Sequence, residues 1–174
     1  TPNLFTEAEK KAYLINAYNA YTIKLILTHY PVNSIKDIGS IIRSPFKIEF
    51  ANLGNQRLSL DDIEKKRLLK MDDPRIHFAI NCASYSCPKL SNKAYVASRL
   101  EVQLEEATRD FINSIRNKVT PQHLELSKIF KWYQSDFENS AGHLINFLNQ
   151  YRKTPIKRSA TIDFLDYSWA LNKQ

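Results

Sequence analysis

Asp73-Pro74-Arg75-Ile76-His77-Phe78-Ala79-Ile80-Asn81-Cys82-Ala83-Ser84-Tyr85-Ser86-Cys87-Pro88 is the stretch whose reading decides the fold. It carries both cysteines and one of the four histidines of the chain. Taken as a strand that starts after Pro74, it alternates with period two. Ile76, Phe78, Ile80 and Cys82 then face one way, and Arg75, His77, Ala79 and Asn81 the other. Beyond Cys82 small and polar residues end the apolar run, and Ser86-Cys87-Pro88 leaves in a new direction. A strand that delivers His, Asn and Cys to its C-terminal end and then turns can build a site. It can also simply end there.

Upstream, Thr6 with Glu9 makes a capping box, and the spacing predicts a helix to about His29, stopped by Tyr30-Pro31. This helix is apolar nearly all round, which places it in the middle of the fold. Asn16 and Asn19 share one of its faces, where buried amides must either pin neighbouring backbone or orient a ligand or a catalytic histidine. Asn33 to Ile38 reads as a short helical turn. Phe46 to Phe50 alternates as a half-buried strand, and Gly54-Asn55 reverses it into Arg57 to Leu60 as a hairpin. Ser59 with Asp62 opens a helix to about Lys70.

Downstream, Ser98 with Glu101 predicts a capped amphipathic helix to about Asn113, which leaves Ala83 to Ala97 as a long connection of the functional kind. Leu124 to Leu126 reads as a short strand. Lys128 to Phe137 reads as one helix with Ile129, Trp132, Tyr133 and Phe137 facing in. Leu144 to Tyr151 makes another helix, and Ile162 to Trp169 a closing strand. Trp132 and Trp169 read as core anchors. No repeat or linker interrupts the chain, so residues 1–174 read as a single α+β domain. Its small, mostly antiparallel sheet packs against the central apolar helix and several amphipathic helices.

Composition narrows the function classes. The 174 residues include only three glycines, and no glycine-rich phosphate loop occurs. No apolar run reaches the roughly 18 residues of a membrane span. The net charge of +7 favours anionic partners in general. Basic residues are not interleaved with aromatics as in a nucleic-acid groove, so nucleic acid is disfavoured as a partner. Cys82 and Cys87 stand as C-x4-C, which fits neither the usual zinc spacings nor a thioredoxin-like C-x-x-C, and no metal or cofactor is called for. They read as a small-loop disulfide, a reactive thiol or two buried hydrophobes.

Several segments, in order, carry a resemblance: Asn16-Ala17-Tyr18-Asn19-Ala20, Leu58 to Glu64, Asp73 to Ala79, and Asn81-Cys82-Ala83-Ser84 with Ser86-Cys87-Pro88. Leu126 to Tyr133 and Leu165-Asp166-Tyr167 with Trp169 and Leu171-Asn172 continue it. From about Lys10 to Asn172 the chain resembles the domain-of-unknown-function 547 (DUF547) family. That resemblance implies a fold without an established reaction. It also implies an extracytoplasmic home, periplasmic or secreted, because bacterial members often carry a secretion signal; there a Cys82–Cys87 disulfide could form. An apolar helix beside a sheet bearing His and Cys is also similar to the papain-like and transglutaminase-like arrangement. The first helix here has no cysteine, however, so a thiol nucleophile needs another placement.

Two functions follow. One is a cysteine-dependent hydrolase or acyl transferase acting on a peptide or small-thiol substrate. Alternation puts Cys82 in the core, so Cys87, beyond the turn, is the candidate nucleophile and His77 its base. Asn81 or Asn16 would orient the imidazole or supply an oxyanion donor, with Asp136 and Asp166 as other orienting groups. The alternative is a non-catalytic binding or scaffold domain, its Cys82/Cys87 loop stapled or buried beneath a basic surface.

Overall fold

The capping box starts the first helix as the sequence predicts. In the computed structural model, which describes residues 4–40 and 42–172, α1 covers Glu7–His29. Thr1 to Asn3, Ile41, Lys173 and Gln174 lie outside the described residues. Glu9 N–H donates to Thr6 Oγ1 at 3.2 Å and Thr6 N–H to Glu9 Oε2 at 2.8 Å. The helix ends before Tyr30-Pro31, because a residue preceding proline avoids the helical region. Ala12, Ile15, Tyr18, Asn19 and Thr22 form its buried stripe, while Tyr13, Ile23 and Leu27 are exposed. The helix thus lies along one side of the core and packs through one face.

A 3-10 turn at Ile35–Ile38 follows, as expected. The strand predicted at Phe46 to Phe50 is displaced. Pro45 sits at the start of a 3-10 turn over Pro45–Lys47, where its fixed φ suits a helical turn. The hairpin begins later, with β1 at Ala51–Leu53 paired antiparallel to β2 at Gln56–Leu58. Gly54, φ +60, opens the two-residue turn between them. Ser59 caps α2, Leu60–Ile63, through Asp62 N–H, and the run continues as a π-helical turn over Glu64–Leu68. A 3-10 turn at Leu69–Met71 then ends at Asp72, φ +50.

The central stretch is not a strand. Pro74 and Arg75 enter a single helical turn, α3, at Ile76–Ala79, with Ile76 N–H donating to Asp73 C=O at 3.1 Å. Asp73 Oδ1 takes the Arg75 backbone N–H at 3.2 Å, and its carboxylate pairs with Arg75 and Lys11. An Asp followed by Pro is a helix-start signal that the alternation of the next residues masked. All four α3 residues are buried, at 0–3% exposure, so the turn has no solvent face and no amphipathic period could report it. Ile80 turns extended, and no strand forms from Asn81 to Cys87. The sheet therefore carries neither His77 nor a cysteine, and the likeness to a sheet-borne His and Cys does not hold.

α4, Leu100–Ile112, follows a 3-10 turn at Ala97–Arg99; no Ser98 cap forms, and Glu101 instead pairs with Arg75 at 2.7 Å. Three strands then form the second sheet: β3 (Lys118–Val119) antiparallel to β4 (His123–Leu126), and β4 parallel to β5 (Thr161–Phe164). Among the described residues two of the three strand ladders are antiparallel, and the α+β class stands. The predicted Lys128 to Phe137 helix breaks at Tyr133 into α5 (Lys128–Trp132) and α6 (Gln134–Ala141); α7 covers Leu144–Asn149. Trp132, on the last turn of α5, is 48% exposed and is not a core anchor.

Two apolar clusters result. One gathers around α1 and α2, the other around β4, α5, α6 and α7. Ile76, Ala79 and Ile80 belong to the first and Phe78 to the second, so the short α3 turn is wedged between them.

Candidate active site

Asn81 organises the loop that holds both sulfurs. Its Nδ2 donates to Pro88 C=O at 2.7 Å, while its Oδ1 accepts Ala83 N–H at 2.7 Å and Asn172 Nδ2–H at 3.3 Å. Ala83 is held at φ +60, a left-handed conformation that a Cβ disfavours, and the chain reverses there. The C-terminal segment runs alongside: Tyr85 N–H donates to Ala170 C=O, and Ser84 bridges to Leu171. The reversal brings Cys87 beneath Cys82.

The order of burial expected for the two thiols is reversed. Cys87 is buried at 4% exposure and Cys82 is half-buried, and both border a pocket of about 240 Å³. Strand parity had put Cys82 in the core, and with no strand that parity fails. The sulfurs lie 2.8 Å apart, and both cysteines are free. Cys82 N–H donates to Cys87 Sγ at 2.8 Å; the Tyr167 hydroxyl lies 3.2 Å and Ser84 Oγ 3.1 Å from Cys82 Sγ. The Cys87 S–H first, then Ser84 and Tyr167, stabilise a Cys82 thiolate and bring that thiol to about 7 against burial. Burial, and then the neighbouring Cys82, push the Cys87 thiol far up. The hydrogen bonds at Cys82 and the deeper burial of Cys87 thus both favour Cys82 as the thiol that ionises first.

His77 shares the pocket wall but hydrogen-bonds to neither sulfur among the described contacts. Its Nε2 meets Asp136 Oδ2 at 2.8 Å, and its ring stacks on Tyr133 with centroids 3.9 Å apart. Of the two orienting carboxylates, the fold brings Asp136 to the histidine; Asp166 pairs with Lys128 at the surface. Burial lowers the His77 pKa, against the pull of Asp136. Asn16 and Asn81 do not line the pocket. Asn16 Nδ2 donates to Tyr95 C=O at 2.8 Å and its Oδ1 accepts Tyr95 N–H at 2.9 Å, which pins the long connection to α1.

A buried acid completes the pocket. Glu64, 6% exposed, accepts the Tyr133 hydroxyl at 2.6 Å and lies beside the Tyr18 hydroxyl. It reads in sequence as part of a charged run, Asp61 to Arg67. Yet Leu60, Ile63, Glu64 and Leu68 share one helical face, and that spacing was the available signal. The π-helical turn that starts at Glu64 and the break at Tyr133 turn these two side chains toward each other, as such irregularities often do at sites. Trp132, Tyr167 and Trp169 form an aromatic rim, with centroids 4.8–6.1 Å apart. Among the described residues no group of three or more His, Cys, Asp or Glu side chains is disposed to hold a metal, and no helix is long and apolar enough to cross a membrane.

The acid has a measurable signature. Burial raises the Glu64 carboxyl above its ordinary range. A group whose folded pKa is raised contributes its stability below the unfolded pKa and loses it as pH climbs through the folded value. Glu64→Gln keeps an oxygen for Tyr133. It is expected to match the parent near pH 4 and to gain stability relative to it as pH rises toward neutrality, in urea titrations across pH. A constant difference at every pH would mean that the carboxyl is ionised normally in the fold.

Residues 2–112 match the family described as protein of unknown function, DUF547. The match ends before β3, so Tyr133, Asp136, Tyr167 and Trp169 reach the site from beyond it. No curated protein and no solved structure matches the chain. Since the match spans more than half of the sequence and includes α1, the α3 turn and the two-cysteine loop, the chain belongs to the DUF547 family.

Proposed function

We propose that this protein is a cysteine-dependent hydrolase or acyl transferase in which Cys82 is the nucleophile. The observation that supports it is a half-buried sulfur on a pocket wall with three hydrogen-bonding neighbours, which lower its pKa to about 7. The Cys82 thiolate attacks an acyl carbon and the carbonyl electron pair moves to oxygen. On collapse the leaving group departs with the Glu64 proton, which leaves a thioester on Cys82. The Glu64 carboxylate then takes a proton from water or an acceptor amine or thiol as that group attacks, and the Cys82 thiolate is released. Cys87 donates its S–H to the thiolate and does not attack. The His77–Asp136 pair props Tyr133 and with it Glu64. A pocket of about 240 Å³ with aromatic walls suits a side chain or short acyl group of a peptide or small-molecule substrate.

At pH 7 a thiol with a pKa of about 7 carries about 15-fold more thiolate than an ordinary one at about 8.5. Lower intrinsic nucleophilicity reduces the expected gain in alkylation rate to about threefold. Iodoacetamide kinetics followed by peptide mapping should give a Cys82 inflection near 7 that moves up in Tyr167→Phe. An activated ester should then deposit one acyl group on Cys82 in a burst, absent in Cys82→Ala. An inflection at 8.5 or above, or acylation no faster than in Cys82→Ala, would remove the proposal.

The scaffold reading has its own support in the tight bonding of the loop to the C-terminal segment. It makes the thiols unreactive, and the same kinetics separate the two.

A further inference from the structure

The loop contains one sulfur more than acyl chemistry needs. Cys87 is buried at 4% exposure in direct contact with the less buried Cys82, and both border the same pocket. The loop is also braced so that the two sulfurs stay together: Asn81 ties Pro88 back to the start of the loop, and Asn172 N–H donates to Ala83 C=O at 3.1 Å. A partly exposed sulfur on a pocket wall, backed by a buried one in contact with it, is the disposition of an attacking and a resolving cysteine. Two merely buried thiols would have no reason to differ in access. A structural staple would have no reason to line a pocket.

We propose that Cys82 and Cys87 form a reversible dithiol–disulfide couple that exchanges with low-molecular-weight disulfides, Cys82 attacking and Cys87 resolving. The Cys82 thiolate attacks one sulfur of a small disulfide such as oxidised glutathione. The S–S bond of that molecule breaks, one glutathione leaves as thiolate and takes a proton from water, and a mixed disulfide forms on Cys82. Cys87 then gives up its proton to solvent and attacks the Cys82 sulfur, displacing the second glutathione. In sum the protein dithiol loses two electrons and two protons, and one oxidised glutathione becomes two reduced ones. The reverse sequence, with two reduced glutathiones, reopens the pair. The closed state has no Cys82 thiolate, so any nucleophilic chemistry at the pocket is switched off by oxidation and restored by reduction.

This exchange needs no acyl substrate and is tested apart from the reading above. The reduced full chain is incubated in glutathione buffers of increasing oxidised fraction, quenched with acid, alkylated and weighed intact. The expected product is a species lighter by two hydrogens, with no glutathione attached and no alkylation at Cys82 or Cys87, fully reversed by excess reduced glutathione. Cys87→Ser is expected to stall as a single glutathione adduct on Cys82, and Cys82→Ser to stay unmodified, at least tenfold slower than the parent. Circular dichroism checks that each variant is folded; Cys87→Ala replaces Cys87→Ser if the hydroxyl unsettles the buried position. A parent chain that stays dithiol, or that stops at a glutathione adduct, overturns the proposal. So does a disulfide that closes but resists excess reduced glutathione, which would make it a structural staple.

Discussion

Phe78→Ala is expected to cost about 3–5 kcal/mol of folding stability, the range for removing a fully buried aromatic ring. Phe78 is 1% exposed, and its ring lies 5.1 Å from Phe111, 5.6 Å from Phe130, 5.7 Å from Phe137 and 6.4 Å from Phe147. These partners come from α4, α5, α6 and α7, so the hole left by the ring is walled by four elements that cannot all relax into it. For a chain of this size the loss corresponds to a fall in melting temperature of about 6–20 °C. Phe78→Leu, which keeps more of the volume, should cost less. Urea and thermal unfolding measure both, and a loss below about 1 kcal/mol for the alanine variant would show that the ring is not the centre of that cluster. The prediction also tests the α3 turn itself. A strand would have sent Phe78 and Ile76 into the same cluster, whereas the helical turn divides them between two.

Asn19→Ala should be nearly as damaging, although it removes no apolar volume of note. Asn19 Nδ2 donates to Ala79 C=O at 3.0 Å, and its Oδ1 accepts Asn81 N–H at 2.8 Å. Both backbone groups lie where α3 ends and the cysteine loop begins, beneath the first cluster. Leaving two buried groups unpaired costs about 2–6 kcal/mol in total. The clamp also sets where Asn81 and therefore Cys82 sit. The variant should accordingly lose the fast alkylation of Cys82 under conditions where it is still folded. Its effect should be less than additive with Asn81→Ala, because the two side chains hold the same turn. Additive losses, or an unchanged Cys82 inflection, would mean that the asparagine only fills space.

The position of the site explains why so much of its chemistry was hidden. The sequence points to the right loop, since two cysteines and a histidine within eleven positions are conspicuous in a chain with two cysteines and four histidines. It does not reveal which thiol meets solvent. That depends on the reversal at Ala83, held by Asn172 from the far end of the chain. Glu64 shows the same limit. Its place on the Leu60, Ile63 and Leu68 face marks it as inward-pointing, but its partner Tyr133 is 69 residues away. The Tyr167 hydroxyl that supports the Cys82 thiolate is 85 residues from it.

By itself the sequence determined what is satisfied within about one turn of chain. The start of α1 at Thr6 and Glu9, its end before Tyr30-Pro31, the reversal at Gly54 and the Ser59 cap each complete their hydrogen bonds or backbone constraints locally. The family motifs that run through α1 and the cysteine loop are legible for the same reason. Only the tertiary structure decided that Ile76–Ala79 is a helical turn, that Cys82 is the less buried of the two thiols on the pocket wall, and that Asp136 rather than Asp166 meets His77. A four-residue element buried on every side has no solvent face, and so it has no period to read. The ionisation of a thiol or a carboxyl follows from which distant groups exclude water around it and which donate to it. Those groups are brought together by packing, which no short stretch of chain contains.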